Sequence, residues 1–165
     1  MPPLLALSLA AALATAAADE APGPTPPLPP GDYRLDGRHS ELTAKVRYAG
    51  GLGHLDLRFT RLSGGLWYAP GDTATSHVTI VVDTASAASG EGGLDRLAFR
   101  ALEPEKYPTI TFVSDRLSLT GPEAGRLQGR LTLHGVTRPV TLRFSMARAE
   151  PAAGGQAARS HFSGG

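Results

Sequence analysis

Asp36, His39 and Ser40 come nearest, in type and spacing, to residues that could carry out catalysis. A carboxylate three residues before an imidazole, with a hydroxyl beside it, can fix a tautomer and activate a nucleophile if the three converge. The same trio at the entry to a strand is also the ordinary material of a polar turn, and the turn is the favoured reading. An enzyme acting on a hydrophobic substrate, with Asp36 and His39 as acid and base, therefore stands third among three function classes. The five histidines (His39, His54, His77, His134 and His161) are scattered, with no two at ligand-pair spacing, and no metal site is expected. Glu103 and Glu105 flank Pro104 and read as solvated. The absence of cysteine excludes a thiolate nucleophile, a disulfide framework, Fe–S clusters and Cys-type zinc. Neither a nucleophile elbow, nor a zinc-protease helix, nor a phosphate loop is present. No catalytic residue, metal or cofactor is assigned.

The elements that must position any site are strands. From Asp32 onward the apolar period is two. Leu42, Ala44, Val46 and Tyr48 alternate with charged or hydroxylated neighbours, and Gly50-Gly51-Leu52-Gly53 breaks the run. Leu55, Leu57 and Phe59 follow, then Leu66 and Tyr68, then Val78, Ile80 and Val82 after the Pro70-Gly71-Asp72 turn. Ile110 and Phe112 come after Pro108; Leu127, Leu131 and Leu133 follow Gly121-Pro122; Val140, Leu142 and Phe144 follow Gly135. Only Leu94–Glu105, rich in Leu, Ala, Arg and Glu, lacks alternation, and a short helix is expected there. The pattern implies an all-β antiparallel barrel or sandwich with one helical insertion.

Ahead of this domain the composition changes. Of 165 residues, 20 are Gly and 14 are Pro, about a fifth together, and eight of the prolines precede residue 31. Leu4–Leu13 has the length of a secretion-signal core, and Ala16-Ala17-Ala18 forms a small-residue cleavage site, although Met1-Pro2-Pro3 carries no basic side chain. Residues 1–18 are read as a signal peptide, 19–31 as a Pro-rich spacer and 32–165 as the β-domain, placing the mature protein in the periplasm or outside the cell. With 16 basic and 15 acidic residues, nothing electrostatic favours nucleic acid. No segment after the signal is apolar enough to span a membrane.

Two segments go beyond generic strand patterning: Glu105-Lys106-Tyr107-Pro108-Thr109-Ile110-Thr111-Phe112, and Gly129-Arg130-Leu131-Thr132-Leu133-His134-Gly135-Val136-Thr137-Arg138-Pro139-Val140-Thr141-Leu142. Together with Tyr33-x-Leu35-Asp36-x-x-His39-Ser40, Arg58-Phe59-Thr60-x-Leu62-Ser63-Gly64 and Val78-x-Ile80-x-Val82-Asp83, they resemble the YceI-like family, the lipocalin-like polyisoprenoid-binding proteins of the bacterial periplasm. The resemblance covers about Asp32 to Phe144. It implies an eight-stranded lipocalin-like barrel around an elongated apolar channel, with a long isoprenoid, such as a polyprenyl phosphate or quinone, as ligand. Two departures stand out. Ala101-Leu102 replaces the family's aromatic residues ahead of Tyr-Pro. After Phe144 only His161-Phe162 suggests a further strand, so the barrel is expected to lack its last strand and to expose open edges through which a homodimer could pair.

Alternation then gives an inward, ligand-facing set: Leu42 and Val46; Leu57 and Phe59; Leu66 and Tyr68; Val78, Ile80 and Val82; Ile110 and Phe112; Leu131 and Leu133; Leu142 and Phe144. Asp36, His39 and Ser40 would bind a head group or close one barrel end. Ala44 and Gly129 would leave room for the channel or mark a bend. A binding or carrier protein for an isoprenoid or similar apolar lipid is the leading function, ahead of a structural or interaction β-domain whose interior is filled core.

Overall fold

Two-residue alternation becomes sheet along the whole domain. The computed structural model describes residues 5–9, 29–48, 53–121, 124–150 and 159–164. In chain order they form β1 (Leu5–Leu9), β2 (Gly31–Leu35), β3 (Leu42–Tyr48), β4 (Gly53–Phe59), β5 (Leu62–Tyr68) and β6 (His77–Asp83). A 3-10 turn at Thr84–Ser86 leads to the short β7 (Ala87–Ala88) and to α1 (Gly92–Leu102). The chain continues as β8 (Thr109–Leu119), β9 (Ala124–Leu133), β10 (Val136–Glu150) and β11 (Arg159–Gly164). The fold is all-β with one helical insertion, as the alternation implies.

Seven strands pair antiparallel in the order β2-β5-β6-β8-β9-β10-β11, and β11 supplies the strand that His161-Phe162 suggests. These seven leave the expected one-strand gap between β11 and β2. In the full chain β1 occupies it, parallel to both neighbours, with Leu7 opposite Leu35 on one side and Ser160 on the other, so that eight strands close a barrel. The expected open barrel is corrected to this extent: the gap is filled from the N-terminal end, by residues of the expected leader. The remainder of that leader and most of the Pro-rich spacer, residues 1–4 and 10–28, lie outside the described residues, as does the expected strand break at Gly50-Gly51-Leu52.

The hairpin β3–β4 belongs to a separate three-stranded sheet, β3-β4-β7. It presents Leu55, Leu57 and Phe59 to the interior while His54, Asp56 and Arg58 face solvent. The helix is shorter at its C-terminal end than the expected Leu94–Glu105. Glu103 sits in the left-handed region at φ 45° and caps α1 through its N–H to the Phe99 carbonyl at 3.0 Å. The physical reason is Pro104, whose ring disfavours helical backbone in the residue before it, so the helix ends ahead of Glu103.

A second irregularity lies in β8. Ile110, Phe112 and Ser114 are buried at period two, and the next buried residue is Leu117, three positions on. The register against β9 shifts between Ser114 and Arg116, the mark of a β-bulge. Gly129 lies opposite the bulge: a Cβ there would come within 2.3 Å of the Val113 carbonyl oxygen and 2.9 Å of the Phe112 ring. Of the two expectations for Gly129, the bend is the one observed.

Candidate functional site

The inward faces gather into two apolar clusters. The first lies inside the barrel, where Tyr33, Leu66, Tyr68, Phe112, Leu117 and Leu127 are buried and Val78, Ile80, Leu131, Val140, Leu142 and Phe144 pack on them while keeping some exposure. The second lies where the small sheet and α1 cover the barrel, and there Leu55, Leu57, Phe59, Leu62, Val82, Ala98 and Ile110 are buried. Leu35, Leu42, Ala44, Leu94 and Leu102 border it, and Ile80 and Leu131 touch both clusters.

The sequence-derived inward set divides between them. Leu66, Tyr68, Val78, Phe112, Leu142 and Phe144 belong to the barrel cluster. Leu42, Leu57, Phe59, Val82 and Ile110 belong to the covered end, where Leu42, Leu57 and Phe59 come from the separate sheet rather than from the barrel wall. Val46 and Leu133 are brought to neither, being 38% and 41% exposed. Val46 is on the edge strand of the small sheet. Leu133 is at the tip of the β9–β10 hairpin, one residue past the last β8–β9 pair, Thr111 opposite Thr132. Tyr33, Leu117, Leu127 and Val140 join the barrel cluster without having been in the inward set. Alternation from Val140 to Phe144 already signalled Val140, whereas the bulge hid Leu117.

Close packing between sheet and side chain shapes the barrel interior. Gly125 faces the Phe144 ring so closely that a Cβ would come within 2.6 Å of its Cε1. That absence of a side chain leaves the space that the Phe144 ring occupies against β9. Ser114, buried at the bulge, accepts the Val78 N–H through its hydroxyl at 2.7 Å and so satisfies an amide at the β6 entrance. Tyr33 donates its hydroxyl to the Pro29 carbonyl. Burial, reinforced by the neighbouring Tyr68, raises its pKa to about 12, so the phenol is neutral across the physiological range. A shallow cleft of about 640 Å³ runs along β2, β5 and β6, bordered by Tyr33 and Leu66 of this cluster and by Arg34, Trp67 and His77 of the outer face.

Asp36, His39 and Ser40 do converge, as a turn. The Asp36 carboxylate accepts the Arg38 N–H at 3.0 Å and contacts His39 Nδ1 at 2.7 Å, while its carbonyl accepts the His39 N–H and the Ser40 hydroxyl. These bonds fold the chain from β2 back into β3. Among the described residues no group of three or more His, Asp or Glu is placed to hold a metal ion. No helix among them is long and apolar enough to cross a membrane.

The two sequence segments that go beyond strand patterning meet in space. His134, at φ 52° in the β9–β10 turn, contacts the Glu103 carboxylate at 2.7 Å, and its ring lies 4.1 Å from that of Tyr107. Gly135 beside it takes φ 73°, and a Cβ there would strike the Tyr107 ring at 2.8 Å. The helix cap and the hairpin tip are thereby fastened together.

Comparison with known proteins gives the same picture. A model of the YceI-like domain matches residues 33–164. A UPF0312 protein of Vibrio cholerae serotype O1 (strain M66-2) is 34% identical over 139 residues, covering 81% of this chain and 71% of its own length. One from Pseudomonas putida (strain W619) is 30% identical, over 68% of this chain and 60% of its own. Among solved structures, Burkholderia cenocepacia BcnA superposes with a TM-score of 0.55 at 20% identity, over 66% of each chain, and the Campylobacter jejuni YCEI protein with 0.53 at 20%, over 70% of this chain and 68% of its own. The chain thus spans between three fifths and about seven tenths of the proteins it matches. With the domain matched across nearly all the strands described above, the chain belongs to the YceI-like family.

Proposed function

We propose that the protein binds and carries a long-chain isoprenoid, or a similar apolar lipid, within its barrel, and that it does so in the periplasm. The observation that carries this reading is the incomplete burial of Val78, Ile80, Leu131, Val140, Leu142 and Phe144, all of which pack on the barrel cluster. Side chains that pack inward yet keep solvent access are what the wall of an unfilled interior would present. An isoprenoid tail suits it: burying apolar area is worth about 25 cal/mol per Å², and no exact hydrogen-bond code is needed. The neutral Tyr33 phenol, held by Pro29, adds no charge to that interior.

Solvent extraction of protein purified from a lipid-replete host, followed by mass spectrometry, tests the reading. A polyprenyl or quinone species near one per chain is expected. Recovery of none overturns the carrier reading and leaves a structural β-domain with a filled core.

Export rests on the apolar run Leu4–Leu13 and on Ala16-Ala17-Ala18. Cleavage before Asp19 would remove β1 and reopen the slot between β2 and β11, freeing two edges for pairing between copies. Native mass spectrometry is expected to find the mature form dimeric and the full chain monomeric. A monomeric mature form would count against edge pairing.

A further inference from the structure

Trp67, the only tryptophan of the chain, is 39% exposed on the outer face of β5, where alternation turns Leu66 and Tyr68 inward. The strand register places Asp32 of β2 and His77 of β6 directly opposite it, one on each side. In the neighbouring row of the same face, Gly65 lies between Arg34 and Thr79. A Cβ at Gly65 would come within 2.8 Å of the Tyr33 carbonyl oxygen, so this row has no central side chain. The outcome is the cleft of about 640 Å³ along β2, β5 and β6, open to the backbone at Gly65, with the indole beside it and polar side chains on both rims.

Those polar side chains are unengaged and of mixed kind. Among the described residues, Asp32, Arg34 and Thr79 have no side-chain hydrogen bond or ion pair. Asp32 offers acceptors, Arg34 donors and Thr79 both. His77 Nδ1 lies 3.3 Å from the Thr75 carbonyl, which can only accept, and that bond leaves Nε2 as a further acceptor. The charges of Asp32 and Arg34 cancel. An apolar partner would strip both of water without replacing it, and an ion of either sign would meet its like on one rim. A neutral ring bearing hydroxyls avoids both costs. Its C–H face suits the negative face of an indole, and each hydroxyl donates as well as accepts.

We propose that this cleft is a binding site for a neutral oligosaccharide, one pyranose ring lying against Trp67 above Gly65 and its hydroxyls pairing with Asp32, Arg34, His77 and Thr79. The site is on the outside of the barrel wall and is independent of what the interior carries.

Because Trp67 is the sole indole, its fluorescence reports on this cleft alone. The full chain is titrated with cellohexaose, maltohexaose and chitohexaose, each to about 10 mM, and with oligogalacturonate as a charged control. A saturable change with at least one of the neutral three is expected, insensitive to added salt. By calorimetry, Trp67→Ala is expected to weaken that binding about tenfold and Arg34→Ala about threefold to tenfold. Both side chains are on the outer face and outside the lipid-binding set, so both variants are expected to keep the parent's circular-dichroism spectrum and bound lipid. No response to any neutral hexasaccharide, a response to oligogalacturonate alone, or variants that bind like the parent overturns the site. So does emission that shifts on dilution without sugar, which would show a second copy covering the indole.

Discussion

At the helical end, Leu57, Phe59, Leu62, Val82, Ala98 and Ile110 are all buried; along β9 and β10, Leu131, Val140, Leu142 and Phe144 pack on neighbours of the same kind yet remain partly open. Residue type does not distinguish the two regions. What differs is the number of layers. The first has a barrel wall, a three-stranded sheet and a helix closing over one another; the second has a wall facing only the rest of the barrel. The third layer adds a sealed core at the first region; in the second the barrel buries Leu66, Phe112 and Leu127 by itself, and the partly open side chains are the ones a ligand would meet. Stability should therefore reside chiefly at the helical end and binding inside the barrel.

Truncation should separate the two most strongly. Phe59 is 2% exposed at the centre of the covered cluster, and Phe59→Ala is expected to cost about 3–5 kcal/mol in urea unfolding. Phe144→Ala removes as much side chain from a half-open position and should cost roughly half as much, while sharply reducing the lipid recovered on extraction. Equal stability losses, or lipid retained at full occupancy in Phe144→Ala, would break the distinction.

The bulge offers the next largest effect. Gly129→Ala must place a Cβ within 2.3 Å of a backbone oxygen, which cannot move without disturbing the β8–β9 ladder. A loss of about 2–3 kcal/mol is expected, in the upper part of the usual cost of overpacking. Gly71→Ala, where a Cβ meets nothing within 4 Å, is the control and should be near neutral.

Tyr33 sharpens the comparison through pH. Its phenol is raised from 10.0 to about 12, so between those values the unfolded chain releases a proton that the folded barrel retains. This contribution is fully present below pH 10.0 and is lost as pH rises towards 12, at most about 2–3 kcal/mol. Tyr33→Phe should flatten that alkaline decline relative to the parent, at the expense of the hydrogen bond to Pro29. An unchanged alkaline slope would mean that the first cluster is wetter around Tyr33 than its burial indicates.

Much of this organisation could be read in the sequence, because strand alternation reports which face is inward. It placed Leu66, Tyr68, Phe112 and Leu142, and with them Phe59 and Ile110, on inward faces. Alternation is blind to which sheet a strand joins, and so Leu42, Leu57 and Phe59 read as barrel wall although they belong to the covering layer. It also fails where the period slips, as at the bulge that brings Leu117 inward, and where a strand outruns its neighbour, as at Leu133. The Glu103–His134 contact was beyond reach for another reason. It joins segments thirty-one residues apart, and only the proline that ends α1 at Leu102 brings the carboxylate to the hairpin.

The smallest expected effect concerns the surface of the sealed end. Arg61 Nε donates to the Asp83 carboxylate at 2.8 Å, between the start of β5 and the end of β6, next to buried Leu62 and Val82. That hydrogen bond holds the Asp83 pKa below its ordinary 3.8; burial opposes it, and the Ala85 N–H and the guanidinium charge add smaller contributions in its favour. A depressed carboxylate contributes stability that is present above the ordinary value and lost as pH falls through the folded one. Both side chains are well exposed, 61% and 42%, so solvent screening limits the pair to under about 1 kcal/mol. Asp83→Asn keeps an oxygen for the Ala85 N–H but removes the charge and, with an amide NH2 in place of the second oxygen, the acceptor for Arg61 Nε. It should cost a few tenths of a kcal/mol near neutral pH, with the difference from the parent closing at acid pH. A loss comparable to Phe59→Ala would instead show that the covering layer is fastened at its rim, by charge, more than by the apolar surface it buries.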